Sequence, residues 1–475
     1  MIKQNILLLH PPFKELKFGK AWEGIDSIAP PLGLMYLATP LIKKGHKVNY
    51  IDLNVDQLTK KQFESIIKKN DIICISCYTD ALDNVKKIIK LIRGIDKNKI
   101  IICGGPYCSL SRNYIPGSDL VAVGEAEVCI DKIVERLVNK KPLDDIQGLV
   151  YKHKGKIIDT KGMLKAEDLN KNPHSAFSLA TDKNYGVFFG FKVKGVTGIM
   201  SSRGCPFHCD YCTHKGLFKY RERSVDNVIS ELKQIQSNGY KYVAFYDDNF
   251  LANKKRVTQI MDRMIKEKIK LKMLVQGRVE SADYSFFKKL RKAGVFMIMF
   301  GIENANQDVL DFYNKGTNIK KIKRAIELCN KAGIITFGYM MLGAPQEDEK
   351  YFEVNKQFVN SVPLDYMNIN ILGYYQGSKL WDDAVKAGKI KPNETIMFAN
   401  ERVSQYTYDE WLEIKEELLR SFYKDKKRLI RFPYKLIRLG MFPLLLNILW
   451  SAKGDFIERV KNPFANPKRA NVVRA

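Results

Sequence analysis

The sequence predicts an α/β protein with two parallel sheets: a Rossmann-like domain, then a partial (β/α)6 barrel of the TIM type, then a helical C-terminal region. Two observations carry this prediction. Short apolar runs alternate with amphipathic stretches of helical periodicity in residues 1–140, and the same alternation returns in residues 197–385. Strands that alternate with helices form right-handed βαβ units and parallel sheets. We assign residues 141–196 to a connector and residues 386–475 to the helical C-terminal region.

Length and composition indicate an ordinary globular protein. The 475 residues are enough for two or three domains, and the hydrophobic content of 45% is typical of soluble proteins. The nine cysteines are an odd number, and the N-terminus has no secretory signal pattern. We therefore expect a cytoplasmic protein whose cysteines are free thiols.

The chain is strongly basic, with a formal net charge of +27. Such a charge permits nucleic acid, an anionic membrane or an acidic substrate as a partner. Most of the excess comes from lysines spread over predicted helix faces, such as Lys86, Lys87 and Lys90. No DNA- or RNA-recognition motif accompanies them, so we predict no nucleic-acid partner.

The first domain contains five apolar runs that we predict to be buried strands, with four amphipathic helices between them. The strands are Ile6–Leu9, Lys47–Asp52, Asp71–Ser76, Ile100–Cys103 and Leu120–Val123, and the helices are Leu32–Lys44, Lys61–Lys69, Asn84–Ile95 and Glu127–Val138. Ligands of such sheets bind at the carboxyl ends of the strands. Polar and glycine residues gather there: His10-Pro11-Pro12, Asp52, Cys77-Tyr78-Thr79, Gly104-Gly105-Pro106-Tyr107 and Gly124-Glu125.

Between the two domains, residues 148–159 alternate, turn at Lys154-Gly155 and alternate again, which predicts a β-hairpin. We assign His153 and His174 to surface or packing positions. Cys74 and Cys77 form a Cys-x-x-Cys pair, but no helix begins after Cys77. We interpret them as packed thiols, together with the other cysteines outside residues 201–214.

The second domain repeats the βα pattern six times. Its predicted strands are Val196–Met200, Tyr242–Tyr246, Leu271–Gln276, Val295–Phe300, Thr336–Met341 and Tyr366–Ile371, and its predicted helices are Val225–Gln236, Arg256–Lys266, Tyr284–Ala293, Lys320–Lys331 and Lys350–Val359. The chemistry of such barrels lies at the strand carboxyl ends. There the sequence has Asp247-Asp248-Asn249, Gln276, Arg278, Gly301-Ile302-Glu303-Asn304 and Gly343-Ala344-Pro345-Gln346-Glu347.

A cysteine loop follows the first barrel strand. Cys205, Cys209 and Cys212 are separated by three and by two residues. Thiolates at this spacing suit an iron–sulfur cluster or zinc. Three ligands leave one iron of a four-iron cluster open, and they leave zinc one ligand short; His208 or His214 is a candidate for the missing zinc ligand. An open iron can bind the amino and carboxylate groups of a substrate.

The cysteine spacing, with Tyr211 directly before the third cysteine, resembles that of the radical S-adenosylmethionine (SAM) enzymes, over residues 197–375. The resemblance implies a 4Fe-4S cluster bound by the three cysteines, reductive cleavage of SAM, and an external electron donor of the flavodoxin or ferredoxin type. It also implies SAM contacts at Tyr211, Asp247, Gln276, Arg278, Glu303 and Gly343. It identifies no catalytic residue.

The first domain resembles the cobalamin-binding domain of cobalamin-dependent radical SAM proteins, on Pro30-Pro31-Leu32-Gly33-Leu34, the Gly-Gly-Pro turn and the Gly-Glu turn. The implied cobalamin contacts are Pro31, Gly33, Gly104, Gly105, Pro106, Tyr107, Gly124 and Glu125. The chain has no Asp-x-His-x-x-Gly run, and Tyr107 stands where relatives often have His. We therefore expect cobalamin to bind base-off, with no histidine on cobalt.

The C-terminal region combines an amphipathic run at Trp411–Phe422, a basic run at 424–431 and an apolar run at Leu439–Trp450 that contains Pro443 and Asn447. Twelve apolar residues are too few to span a bilayer. Two alternatives remain: peripheral contact with a membrane, or a helical cap over the barrel mouth or the domain interface.

Three functions remain open. The leading hypothesis is a C-methyltransferase that acts on an unactivated carbon of a small-molecule or lipid-like substrate. The second has the same cofactors and performs oxidative cyclisation or rearrangement, as in the anaerobic porphyrin-ring cyclases. The third is a cobalamin or metal sensor without turnover. The sequence does not identify the substrate.

Overall fold

The computed structural model describes residues 2–13, 15–16, 18, 29–183, 185–188, 191–213, 218–392 and 394–441. The chain forms two compact units. The first consists mainly of Met1–Val187, and the second consists mainly of Ile199–Gln236 and Tyr240–Ala475. Both contain a parallel sheet with intervening helices, which confirms the predicted α/β class.

The first unit has a seven-stranded sheet in the order β2-β1-β3-β4-β5-β6-β7. Its strands are β1 (Asn5–His10), β2 (Lys47–Asp52), β3 (Ile72–Ser76), β4 (Ile100–Gly104), β5 (Leu120–Ala122), β6 (Leu149–His153) and β7 (Lys156–Asp159). Its helices are α1 (Leu32–Lys43), α2 (Lys60–Lys69), α3 (Leu82–Ile95), α4 (Pro106–Ser111) and α5 (Ile130–Val138). The first five strands are parallel. The strand order reverses between β1 and β3, the position where such sheets bind ligands.

The central strand β1 is buried on both faces. Ile6 and Leu8 belong to one hydrophobic cluster, and Leu7 and Leu9 belong to another. Helices on both faces of a parallel sheet bury every residue of the central strands, so such strands are continuous apolar runs. That run made β1 recognisable in the sequence.

The predicted hairpin is present as β6 and β7, and β6 pairs antiparallel with β5. It therefore extends the first sheet, and the first unit continues to Val187, beyond the predicted boundary at residue 140. This pairing satisfies the backbone hydrogen-bonding groups at the free edge of β5. Ala122, for example, is paired with Leu149. A hairpin sequence shows its own turn but not the strand that it joins.

The second unit contains most of a six-stranded sheet whose strand order follows the chain, as expected for the partial barrel. The strands are β8 (Val196–Ile199), β9 (Tyr242–Phe245), β10 (Lys272–Gly277), β11 (Val295–Glu303), β12 (Ile335–Leu342) and β13 (Tyr366–Ile371). The helices are α6 (Val225–Ser237), α7 (Lys254–Lys266), α8 (Tyr284–Ala293), α9 (Gln307–Phe312), α10 (Ile319–Lys331), α11 (Glu349–Ser361) and α12 (Lys379–Lys386). Strand β11 is longer than predicted because its register shifts between Gly301 and Glu303.

Two helices follow the barrel: α13 (Tyr408–Tyr423) and α14 (Lys426–Arg438). Helix α13 packs on α11 and β13. Among the helices of the described residues, none has the length and the apolar composition to cross a bilayer. Most of the predicted apolar run, residues 442–450, lies outside the described part of the chain.

Candidate active site

The cysteine loop begins directly after β8, and its backbone path depends on a glycine. Ser202–Arg203 pairs antiparallel with Arg221–Glu222. Gly204 has φ +75, and a Cβ there would lie 2.6 Å from the carbonyl oxygen of Phe218. Only glycine fits this approach without a shift of the backbone. The chain therefore reaches Cys205 along a defined path.

The three cysteines of the loop are free thiols. Cys209 is buried, whereas Cys205 and Cys212 are half-buried, and the Cys212 amide donates to the Cys209 carbonyl oxygen at 3.1 Å. Burial raises the pKa of the Cys205 thiol, and the nearby Arg278 guanidinium opposes that rise. A positive charge stabilises the thiolate form, which is the form that binds metal.

The donor set consists of three thiols on one loop. Thiolates are the usual ligands of iron–sulfur clusters, and three of them leave one iron of a four-iron cluster without a protein ligand. A zinc ion on the same three thiolates needs a fourth ligand. Within the described residues, no group of three His, Cys, Asp or Glu side chains is arranged to hold a single ion. Of the two histidines considered as a fourth zinc ligand, His214 lies outside the described residues.

The loop is fastened to the segment that follows α9. The Asn314 side-chain amide donates to the His208 carbonyl oxygen at 3.1 Å and to Asp210 Oδ1 at 3.3 Å. The Asp210 amide donates to the Tyr313 carbonyl oxygen at 2.9 Å. These bonds hold the stretch between the second and third cysteines against the barrel.

Arg278, at the end of β10, joins the loop to that same segment. Its Nη1 lies 3.2 Å from Cys209 Sγ, and its guanidinium stacks on Phe207 with a centroid distance of 3.9 Å. It also pairs with Glu280 and donates to the carbonyl oxygen of Lys315. The predicted SAM contact Arg278 is therefore a neighbour of a cluster cysteine.

Glu303 and Tyr211, which the sequence placed near SAM, are in direct contact. The Tyr211 hydroxyl donates to Glu303 Oε1 at 3.0 Å. Lys315 Nζ lies 2.6 Å from the same oxygen, and both charged side chains are nearly buried. Glu303 has φ +64, a left-handed conformation uncommon outside glycine, and it ends the β11 register shift. A cation and a phenol thus fix the direction of this carboxylate.

Asp247 anchors the start of the loop. Its carboxylate is fully buried and accepts from the Ser201 amide at 2.7 Å, the Ser201 hydroxyl at 2.5 Å and the Ser202 hydroxyl at 2.6 Å. Burial raises the pKa of Asp247, and these hydrogen bonds oppose the rise. Gln276 Nε2 donates to the Asp247 carbonyl oxygen at 2.8 Å. Asp247 and Gln276, both predicted SAM contacts, therefore hold the residues before Cys205 in place together.

The turn at Gly343 is shaped by a buried acid. Glu347 Oε2 accepts from the amides of Gly343 at 2.7 Å and Ala344 at 2.8 Å, and Asn304 Nδ2 donates to Oε1 at 2.7 Å. Burial raises the pKa of Glu347 to about 7, and these hydrogen bonds limit the rise. Gly343 has φ +115, a region that favours glycine. Its backbone amide is engaged within the turn.

One face of the barrel sheet is more accessible than the other. In the register, Tyr339 pairs with Gly301 and Asn368, and Met341 pairs with Asn370. Asn370 is exposed and Tyr339 is half-buried, whereas the intervening Met340 and Ile369 are fully buried. Side chains of a strand alternate between faces. Tyr339 and Asn370 are therefore on the more accessible face, on which Met341 and Asn368 are still buried.

In the first unit, the carboxyl edge contains the predicted Gly-Gly-Pro turn. Gly105 has φ +106, and a Cβ there would lie 3.1 Å from the Cys77 carbonyl oxygen. The Tyr107 amide donates to that oxygen at 3.0 Å. Pro106 is exposed and Tyr107 is half-buried. The turn from Gly104 thus packs on the end of β3 and leaves two of its side chains accessible.

Gly124 and Glu125 have a structural function in this edge. A Cβ on Gly124 would lie 2.2 Å from the Leu164 carbonyl oxygen, and the Glu125 carboxylate accepts from the Ala166 amide at 2.6 Å. Both residues hold the segment that follows the hairpin. Gly33 differs from them: it is exposed near the start of α1, after Pro31, and a Cβ there would meet nothing within 4 Å.

The sequence did not reveal one buried network at the same edge. Asp52 Oδ1 lies 3.1 Å from His10 Nδ1, and Asp52 Oδ2 accepts from the Tyr185 hydroxyl at 2.7 Å. Asn54 Nδ2 lies 2.8 Å from the same His10 nitrogen. Tyr185 comes from far along the chain and has no motif around it. The second unit contains three more residues that were not singled out from the sequence: Ser201, Ser202 and Lys315.

The comparisons with protein families match both halves of the chain. The Radical SAM superfamily matches residues 199–359, and the B12 binding domain matches residues 24–134. The uncharacterized methyltransferase PH0819 of Pyrococcus horikoshii is 30% identical over 80% of this chain and 83% of its own. The anaerobic magnesium-protoporphyrin IX monomethyl ester cyclase of Synechocystis is 24% identical over 92% of this chain and 90% of its own.

A solved structure shares the fold. The radical SAM methyltransferase TsrM of Kitasatospora setae, with cobalamin and a [4Fe-4S] cluster bound, aligns with a TM-score of 0.65. The alignment covers 81% of this chain and 75% of that chain, with 15% identity.

Proposed function

The chain belongs to the cobalamin-dependent radical SAM family, and we propose that it is a methyltransferase that acts on an unactivated carbon. Three observations support this function: both family domains, the relationship to PH0819, and the cysteine loop at the carboxyl end of the barrel strands. The loop carries the proposal, because it is the part of the structure that fits a cluster with an open iron.

The residues present fit the three cofactors of the family, which are a 4Fe-4S cluster, SAM and cobalamin. When bound, the cluster supplies the electron that cleaves SAM, and cobalamin carries the methyl group. Cys205, Cys209 and Cys212 would hold the cluster. Asp247 and the segment from Tyr313 to Lys315 keep the loop in place. The protein thus contributes binding, orientation and the exclusion of water.

Two charged residues at the carboxyl ends of the barrel strands, Arg278 and Glu303, have different functions near the cysteine loop. Arg278 places a positive charge beside Cys209. Glu303, held by Lys315 and Tyr211, presents a carboxylate in a fixed direction. A fixed carboxylate can accept hydrogen bonds from the amino group or a ribose hydroxyl of SAM, which suits the SAM contact that the family resemblance implies for Glu303. A carboxylate held in this way would orient SAM without a further rearrangement of the protein.

For cobalamin, the carboxyl edge of the first sheet offers accessible residues beside fixed turns. Gly33 and Pro106 are exposed and Tyr107 is half-buried, while Gly105 keeps its turn close to the backbone of β3. His10 directs Nδ1 towards Asp52 and Asn54. We keep the expectation of base-off binding without a histidine on cobalt.

Gly33→Leu tests this placement. The position is exposed and has no neighbour for a Cβ within 4 Å, and leucine has a better helix propensity than glycine. We therefore expect the melting temperature to stay the same or to rise. If Gly33 lines the corrinoid site, hydroxocobalamin uptake falls at least about tenfold, since the leucine side chain occupies space that the corrinoid needs. The absorbance of bound corrinoid after desalting measures the uptake.

The matched control is Gly155→Ala, at the tip of the hairpin. A Cβ at Gly155 would also meet nothing within 4 Å, although its φ of +80 makes the change mildly strained. This variant should take up cobalamin normally. If Gly33→Leu binds cobalamin as the wild type does, Gly33 is not part of the site.

The more accessible face of the barrel sheet favours an uncharged substrate. Its accessible side chains Tyr339 and Asn370 offer a hydroxyl and an amide group without a formal charge. This suits a small-molecule or lipid-like substrate with one or two polar groups. We further propose a one-electron donor of the flavodoxin or ferredoxin type, no nucleic-acid partner, and a reducing cytoplasm, in which the cysteines stay free.

The mass of the product separates methyl transfer from its alternatives. Reaction with SAM that carries a deuterated methyl group should add that methyl group to the substrate. The similarity to the Synechocystis cyclase favours cyclisation as the second candidate, and cyclisation would instead remove hydrogen from the product. A sensor would consume no SAM. Unlabelled product that lacks hydrogens would overturn the proposed methyl transfer.

A further inference from the structure

Helix α14 has an unusual orientation, in which cationic side chains face the protein while four large apolar side chains are exposed. The buried residues of the helix are Arg428, Lys435 and Leu436. Arg428 Nε donates to the Leu364 carbonyl oxygen at 2.8 Å, and Lys435 Nζ lies 2.5 Å from Asp365 Oδ2. Cations at these positions are therefore bound to the end of the barrel rather than to solvent.

Asp365 is the reason for this orientation. Its carboxylate is buried, and it is paired on one oxygen with Lys435 and on the other with Arg431 Nε at 3.0 Å. A buried carboxylate requires such partners, because an unpaired charge in the interior is costly. The two cations lie on one side of the helix, so the opposite side must face away from the barrel.

The outward side carries four large apolar residues. The exposed fractions are 45% for Leu429, 75% for Ile430, 58% for Tyr434 and 53% for Ile437. Ile430, Tyr434 and Ile437 are spaced by four and three residues, so they form one stripe. Among the described residues, the other exposed large apolar side chains are dispersed: Ile2, Ile42, Val128, Ile157 and Val354. A contiguous exposed stripe is typical of an interaction surface.

Positive charges border the stripe. Lys424, Lys426 and Lys427 are exposed at the start of the helix, and Arg438 is exposed at its end. Arg438 lies 5.8 Å from the Tyr434 ring centroid. Apolar residues flanked by Lys and Arg are the composition of helices that lie in the plane of an anionic bilayer. The net charge of +27 favours the same partner at longer range.

We propose that α14 is a docking surface for an anionic phospholipid bilayer, with Ile430, Tyr434 and Ile437 at the boundary between headgroups and acyl chains. The flanking lysines and Arg438 bind lipid phosphates. The charge pattern disfavours a second copy of the chain as the occupant, since two such faces would bring like charges together. This inference does not depend on the proposed methyl transfer.

Vesicle sedimentation of the full chain tests the proposal. The wild type should bind vesicles that contain phosphatidylglycerol, should bind phosphatidylcholine vesicles weakly, and should be released by high salt. Ile430→Glu should weaken binding to the anionic vesicles at least about tenfold, because it places a negative charge in the apolar stripe. Lys426→Glu with Lys427→Glu should weaken binding and remove most of its salt dependence.

Ile157→Glu is the matched control. Ile157 is 60% exposed, and it lies on β7 of the first unit, whereas the stripe belongs to the second unit. The same substitution there should leave vesicle binding unchanged. Circular dichroism and cobalamin uptake verify that each variant is folded.

Several outcomes would overturn the proposal. If wild type and Ile430→Glu bind vesicles equally, the stripe is not the binding surface. If binding to both vesicle types is insensitive to salt, the partner is not specifically an anionic bilayer. If the wild type is a dimer that Ile430→Glu dissociates, the face is an interface between copies. If removal of residues 442–475 strengthens vesicle binding, those residues are the occupant of the face.

Discussion

Protein with Cys209→Ala is expected to retain almost no iron after anaerobic reconstitution and to form no 5′-deoxyadenosine from SAM. Cys209 is the buried member of the three cysteines and the neighbour of Arg278. A cubane on two protein ligands loses a further corner to solvent and dissociates. Counts of iron and sulfide should fall from about four of each to near zero. Cys205→Ala and Cys212→Ala should behave alike.

The control is Cys329→Ala, which removes another buried free thiol of the same unit, on α10. It should reconstitute a complete cluster. Cobalamin uptake should be unchanged in all four variants, because the predicted corrinoid contacts lie in the first unit. A full iron count in Cys209→Ala, or zinc in place of iron in the wild type, would contradict the cluster assignment.

The second large effect is expected from Lys315→Met, which leaves Glu303 without its cation. Both side chains are nearly buried, and removal of one partner of a buried pair costs about 3–5 kcal/mol. The carboxylate then loses its fixed direction, so SAM affinity should fall. The iron count should remain close to that of the wild type, since Arg278 donates to the backbone carbonyl oxygen of Lys315, which the substitution leaves in place. Chemical unfolding and equilibrium SAM binding measure the two effects.

Glu303→Gln and the double variant complete a thermodynamic cycle with Lys315→Met. In the double variant no buried charge is left unpaired, so its stability should recover relative to Lys315→Met, while SAM affinity stays low. Lys356→Met is the matched control: its pairs with Glu353 and Glu417 are at the surface and should contribute about 0–1 kcal/mol. Unchanged SAM affinity in Lys315→Met with an intact cluster would exclude a positioning function for this pair.

Much of the fold was predictable because the parallel strands are buried. The apolar runs of β1 and β3 are continuous or nearly so, and the helices between the strands have strong apolar periodicity. The position of the hairpin was not predictable, since β6 joins the first sheet through β5, whose edge has no signal in the sequence. The end of β11 was also not predictable, because a register shift extends it to Glu303.

The candidate site was predictable where its residues are local in sequence. The three cysteines and Tyr211 stand within eight residues of one another, so their spacing alone indicated the cluster. Lys315 contacts Glu303 from twelve residues further along the chain, and Glu303 has a left-handed conformation that no pattern in the sequence indicates. The roles of Ser201 and Glu347 are likewise set by tertiary contacts.

The orientation of helix α14 could not be predicted from the sequence. Only the basic run at 424–431 was identified from the sequence in this helix. A helix with cations on one side and apolar residues on the other normally buries the apolar side. The buried Asp365 reverses this orientation by pairing with Arg431 and Lys435. A single acid on a neighbouring segment thus decides which face is presented to solvent.

The most direct test of the whole account is the formation of 5′-deoxyadenosine and methionine from SAM by the anaerobically reconstituted protein with dithionite as reductant. A cluster with an open iron on Cys205, Cys209 and Cys212 predicts that both products appear in equal amounts and that each cysteine-to-alanine variant makes neither. Protein that contains the full iron count but leaves SAM intact would contradict the account.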